Sequence, residues 1–231
     1  MLFRSMAAQP TIYVVTSDQN RNGKTLLSRL LVDYLMLDGR DPFVIDTDAP
    51  DAPLRNYFPG RTAMADFASI KGQMRVFDTI LASPGRDYVV DVSARHMENF
   101  FGAERDLGFF AECKKSGFRI FVFFVVDESL SSLRAAQVFQ RHRGVDLFVP
   151  VRNLFVRSAW PEDGGALTIP FLAAPIASLV NFRRFSFRAF VQGEMQGLGE
   201  DMVPIVQQFL YEVLSNLSNL EPVYSLKELK T

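Results

Sequence analysis

The stretch SDQNRNGKTLLSRLL, residues 17–31, decides how the rest of the chain is read. Gly23-Lys24-Thr25 ends the phosphate-loop pattern G-x-x-x-x-G-K-[ST], and the place of its first glycine holds Asp18. Before the loop, TIYVVTS (residues 11–17) is a β-branched run bounded by Pro10, which predicts a strand. After it, Leu26, Leu27, Leu30, Leu31, Tyr34 and Leu35 recur at helical spacing, and Gly39 is placed to end that helix. A strand, a loop and Gly-Lys-Thr opening a helix form the context that the pattern requires. Backbone N–H groups at a helix start, with the helix dipole behind them, attract phosphate. Gly23 lets the backbone approach a ligand, Lys24 reaches the outer phosphates, and the Thr25 hydroxyl is a Mg²⁺ ligand. A capped helix with a solvated lysine is the plainer reading of the same residues. A carboxylate about 4 Å from a phosphate costs on the order of 1–4 kcal/mol. Asp18 therefore turns away, pairs, or weakens binding.

Working outward, further apolar runs predict strands at 42–48 (PFVIDTD), 88–93 (YVVDVS), 118–127 (FRIFVFFVVD), 145–153 (VDLFVPVRN) and 166–170 (ALTIP). Pro150 makes a fully paired place unexpected for the far end of the fifth run. Helices are expected over 97–115, 129–143 and 201–217. The strands are continuously apolar instead of alternating, as strands buried on both faces are. The expected class is α/β, a mostly parallel twisted sheet with helices on both faces. In such a sheet the C-terminal strand ends gather on one edge. Asp46, Asp48 and Asp91 fall there, beside Gly-Lys-Thr. They are placed to hold Mg²⁺ directly or through water, or else to cap helices and turns.

Composition bounds the rest. The chain has 231 residues, nearly half of them apolar, with 22 Phe and a net charge of −1. That excludes a disordered tail and a strongly basic nucleic-acid protein. Cys113 is alone, so no disulfide framework or multi-thiolate zinc site is expected, and a reducing cytoplasm fits. The two histidines, His96 and His142, are too few and too far apart to argue a metal site. The longest apolar run, residues 120–126, is too short to span a bilayer, and no membrane insertion is expected. Residues 1–10 are read as a leader and 11–231 as one domain with a C-terminal helix. That helix carries Gln207, Gln208, Glu212, Ser215 and Asn216 on its polar face, without the Lys and Arg of an anionic-membrane anchor. NFRRFSFRAF (181–190) interleaves Arg with Phe, and is read as a packed helix in preference to a nucleic-acid surface. DAPDAPLRNYFPG (48–60) is a turn-rich loop, either a switch or a surface connection.

In the order of its motifs the chain resembles the ParA/MinD family of deviant Walker-A P-loop ATPases. QNRNGKT (19–25) stands where that family has K-G-G-x-G-K-[ST]. FVIDTDAPDAPL, DYVVDVSARH, VVDESLSSLRAAQVF, VPVRN and LTIPF resemble its later segments, over about residues 11–191. The resemblance implies a P-loop NTPase-like fold and a Mg-ATP-binding switch protein of low turnover. It acts in plasmid partition, conjugative transfer or intracellular positioning, as a homodimer with a protein partner or DNA cargo. VIDTDAPDAPLRNY and FDTI also resemble TraL-type conjugation proteins. Carried over, the resemblance implies that Gln19, Asn20, Arg21, Asn22, Gly23, Lys24 and Thr25 hold the phosphates. Thr25, Asp46 and Asp91 serve the metal, Asp48 faces the attacking water, and Asn153 reads adenine. The family's signature lysine, which reaches a partner's phosphates in a dimer, is Gln19 here, and its two glycines are Asn20 and Arg21. Arg21 either supplies the missing charge or is solvated beside Asp18. These departures favour an alternative, a hydrolysis-deficient or nucleotide-free adaptor. A third reading is a small-molecule ligase of the same superfamily, such as dethiobiotin synthetase. The sequence does not separate ATP from GTP.

Overall fold

The computed structural model describes residues 9–181, 185–195 and 199–220. Residues 1–10, read above as a leader, fall almost wholly outside them. Seven parallel strands form one sheet in the order β3-β2-β4-β1-β5-β6-β7. They are β1 (Thr11–Thr16), β2 (Phe43–Asp46), β3 (Thr62–Met64), β4 (Tyr88–Asp91), β5 (Arg119–Val125), β6 (Leu147–Asn153) and β7 (Leu167–Ile169). β1 lies in the middle, between β4 and β5, and every one of its residues is buried.

The two-residue period of the strands divides the core between the faces. Tyr13, Val15, Phe121, Phe123 and Val125 point to one side. There they meet α1 (Lys24–Leu37), α2 (Leu54–Tyr57), α7 (Ala174–Asn181), α8 (Phe187–Val191) and α9 (Val203–Ser218). Ile12, Val14, Val90, Ile120 and Val122 point to the other, onto α3 (Ile70–Leu81), α4 (Met97–Leu107) and α5 (Phe109–Lys115). Much of the phenylalanine goes here: Phe67, Phe77, Phe100, Phe101, Phe109 and Phe110 pack ring on ring, with Phe77 stacked on Phe109 at 3.9 Å. α6 (Leu130–Phe139) covers a smaller cluster of Phe124, Val126, Ala136 and Trp160.

Three expectations are corrected. The helix expected over 97–115 is two helices, because Gly108 adopts φ 64° and breaks the hydrogen-bond ladder. The stretch 181–190 is not one helix: Asn181 ends α7, Ser186 is extended and caps α8 by accepting from Ala189 N, and residues 182–184 lie outside the described chain. Phe185 and Phe187 are nevertheless buried, as a packed segment requires. The far end of β6 is paired on both sides, Val151 with Val125 and with Leu167. Val126 N bonds the Val151 carbonyl and Leu154 N bonds that of Ile169, so odd positions face β5 and even ones β7. The missing N–H of Pro150 therefore faces β7's side one residue before that ladder begins, where nothing is lost. The turn-rich loop contains α2 and leads into β3 and α3, which no motif announced.

α1 is tied to the C-terminal elements by two buried ionisable groups. Arg29, 1% exposed, donates to the carbonyls of Val180 and Phe185, both at 2.9 Å, and lies 3.7 Å over the Tyr57 ring. Asp33 accepts from Phe187 N at 2.9 Å. Burial pushes the Asp33 carboxyl up to about 6 against these bonds. The folded chain then holds that proton more tightly than the unfolded chain. The resulting stability is present below about pH 4 and is lost as pH rises through about 6, on the order of 3 kcal/mol for a shift of about two units. Urea unfolding at a series of pH values is expected to show a shallower downward slope in Asp33→Asn than in the parent, since Asp91 and Asp46, also raised, still contribute theirs.

Candidate functional site

Parallel pairing brings the C-terminal ends of β1, β2, β4 and β6 to one edge, and β2 and β4 are in register there, Asp46 beside Asp91. The loop after β1 ends at Gly23, φ 101°, which opens the 14-residue α1 with no side-chain cap and no acid in its first turn. The first N–H groups of such a helix await an acceptor from outside it. A Cβ on Gly23 would stand 2.3 Å from Asn153 Nδ2, so the left-handed backbone and the close approach both require glycine. That Asn153 amide donates to the Asn22 carbonyl at 2.9 Å and accepts from Phe155 N at 3.1 Å, bracing the loop from β6.

Lys24 is buried. Its ammonium donates to the Gln19 carbonyl and, at 3.3 Å, to Asn22 Oδ1. Burial lowers its pKa, against the pull of Asp91, Asp48 and Asp18. The Thr25 hydroxyl donates to Asp91 Oδ2 at 3.0 Å. The other oxygen of Asp91 is buried with no hydrogen-bond partner, as is the hydroxyl of Ser93. Burial, and then the charge of Asp46, push Asp91 up to about 7. Asp46 is fully buried and raised likewise by burial, and its oxygens accept from the N–H groups of Asp48 and Leu54 at 2.9 and 3.0 Å. Asp48 is half exposed and paired with Arg95 at 2.7 Å.

These groups meet in one cleft of about 330 Å³. Its polar end is lined by Asn20, Arg21, Gly23, Lys24, Thr25, Asp48, Asp91, Ser93 and Asn153. Its apolar end is lined by Leu26, Phe155, Pro170, Leu172, Ala177, Val180 and Phe209, with Asn181 beside them. Arg21 is exposed at φ 59°. Three expected site residues are not part of the lining. Gln19 points outward, its amide 3.3 Å from Asp18 Oδ2. Asn22 is buried under the loop, bonded to Ser17 Oγ and, at 3.3 Å, to the Val125 carbonyl. Asp46 sits behind Asp91 and ties down the loop that follows it. Conversely, Ser93, Arg95, Asn181 and the apolar end carried no signal that spacing alone reveals.

The donor set suits a hard cation: a carboxylate oxygen without a partner and a hydroxyl beside it, at a helix start that suits phosphate. Among the described residues no three His, Cys, Asp or Glu converge on a metal position. A Mg²⁺ held by Asp91 and Thr25 would take its remaining ligands from phosphate and water, as Mg²⁺ sites commonly do.

No protein-family model and no curated protein matches the sequence. Solved structures do match in fold. The MinD cell division protein of Aquifex aeolicus is similar at a TM-score of 0.53 and 16% identity, over 90% of this chain and 97% of that one. The MinC:MinD cell division protein complex of the same organism gives 0.53 at 14% identity, over 90% and 96%. The all-parallel seven-stranded sheet with helices on both faces is thus a fold that this chain shares with MinD. Among the described residues no helix is long and apolar enough to cross a membrane.

Proposed function

We propose that the cleft binds a nucleoside triphosphate with Mg²⁺ and that the chain is a nucleotide-dependent switch protein with slow ATPase activity. The observation that carries this reading is the meeting of Lys24, Thr25 and the partnerless oxygen of Asp91 at the uncapped start of α1. In this reading the amides of residues 20–25 and the Lys24 ammonium hold the outer phosphates. Asp91 and Thr25 hold the metal, which neutralises phosphate charge when bound. The base lies against the apolar lining of Leu26, Phe155 and Leu172, with its edge turned toward the second N–H of the Asn153 amide. Asp48 faces the water that attacks the terminal phosphate. Arg21, the other cation lining the cleft among the described residues, supplies the charge that Gln19 lacks.

The wider role follows the same reading: a dimerising protein of the cytoplasm that positions a protein or DNA cargo, in plasmid partition, conjugative transfer or a similar process. The structural likeness to a MinD bound to MinC supports a protein partner. A second reading, an adaptor that binds nucleotide without turning it over, is favoured by the pairing of Asp48 with Arg95, which occupies the acid that would face water.

Binding and turnover are measured separately. Lys24→Ala is expected to lower ATP affinity about 10- to 100-fold, the worth of lost charge-assisted bonds. Phosphate release by the parent, absent in Lys24→Ala, supports the ATPase; binding without release supports the adaptor. Equal affinities for parent and variant would overturn the phosphate assignment of Lys24.

A further inference from the structure

The loops after β2 and β4 are stitched together beside the cleft, which Asp48 and Ser93 line. Thr47 N bonds the Asp91 carbonyl at 3.0 Å, and Ser93 N bonds the Thr47 hydroxyl at 2.9 Å. The outermost stitch is Arg95, in the 3-10 turn Ala94–His96. Its Nη2 donates to Asp48 Oδ1 at 2.7 Å and to the Ala49 carbonyl at 2.8 Å. This tether differs in kind from the ones beneath it. Both side chains are about half exposed, so the pair contributes little stability and exchanges partners readily. It also joins two loops that both reach the cleft, through Asp48 on one and through Ser93, with its buried and partnerless hydroxyl, on the other.

Lys24, Ser93 and Asp48 line the same cleft, so a terminal phosphate held there would bring a second anion close to Asp48. Arg95 then stands between two acceptors, of which the phosphate carries more charge and presents oxygens in the planar fork geometry a guanidinium prefers. A diphosphate, one phosphate shorter, leaves the guanidinium where it is. We propose that Arg95 is a positioning residue that senses the terminal phosphate: parked on Asp48 and Ala49 without it, and drawn from Asp48 onto the phosphate when a triphosphate is bound. The exchange releases Asp48, so the acid is free to take the proton of an attacking water only when there is a phosphate to attack. This inference rests on the nucleotide reading above and deepens it, by assigning the triphosphate-against-diphosphate discrimination to a residue outside the phosphate loop.

The test is calorimetric titration of the full chain with ATP and ADP, each with Mg²⁺, for the parent, Arg95→Ala and Arg95→Lys. Arg95→Ala is expected to lose about tenfold in ATP affinity with ADP affinity held within about twofold. Arg95→Lys, which keeps the charge without the fork, is expected to recover part of the loss. Thermal unfolding of the ligand-free variants is expected to match the parent, since the exposed pair contributes little, so a weakened ATP signal is not a folding defect. An ATP-to-ADP affinity ratio unchanged in Arg95→Ala overturns the inference while leaving the nucleotide site standing. Binding of neither nucleotide by the parent overturns both.

Discussion

At about pH 8, Asp91→Asn is expected to be more stable than the parent without nucleotide and to lose the Mg²⁺-dependent part of ATP binding. The two effects have one cause. Asp91 is almost fully buried, leaves one oxygen without a partner, and lies beside Asp46. Its carboxyl is pushed up to about 7 from an ordinary 3.8. The folded chain therefore disfavours the charged form, and above about pH 7 it bears the whole cost, on the order of 3–4 kcal/mol for a shift of about three units. The amide carries no charge and still accepts from the Thr25 hydroxyl. The gain is present above about pH 7 and shrinks as pH falls toward about 4, where the parent's carboxyl is protonated in both states. Urea unfolding of the two proteins at pH 8 and pH 5 measures it. A carboxylate kept at such a cost is the mark of a site that gives up stability for binding. Equal stability at pH 8 would show that Asp91 is satisfied without a ligand.

Gly23→Ala is the second change of large effect, in the opposite direction. The residue must hold φ 101°, which costs an L side chain about 1–2 kcal/mol. Its Cβ would also stand 2.3 Å from Asn153 Nδ2, forcing apart the bond from that amide to the Asn22 carbonyl, worth about 1 kcal/mol more. A loss of about 2–4 kcal/mol is expected in urea unfolding. Asn153→Ala on top of Gly23→Ala is expected to recover the part due to the clash and not the part due to φ. Full recovery, or none, would show that the backbone angle and the contact are not separate contributions.

The same residues show where the sequence is legible. β4 and β5 are recognisable because strands covered on both faces carry unbroken apolar runs, as YVV and IFVFFV are, and β1 by its β-branched run. The loop after β1 is recognisable because the change from strand to helix spacing falls at Gly-Lys-Thr. Asp46 and Asp91 come together because parallel register puts them there. β3 has three residues at the sheet edge and no run to recognise, so the crossover through α3 to β4 was hidden with it. The grip of Asn153 on Asn22 spans 131 residues and depends on which strands are neighbours. Asn22, by the family resemblance, and Asp46, by its place at a strand end, look like ligands, yet fold inward to hold the loops that carry them. Only coordinates tell a residue that touches a ligand from one that supports it.

Calorimetric titration of the full chain with ATP, with and without Mg²⁺, tests the nucleotide site most directly. One ATP per chain is expected to bind saturably, more tightly with Mg²⁺ and more weakly in Lys24→Ala. An absence of binding heat with and without Mg²⁺, confirmed by no change in unfolding temperature at millimolar ATP, would contradict it.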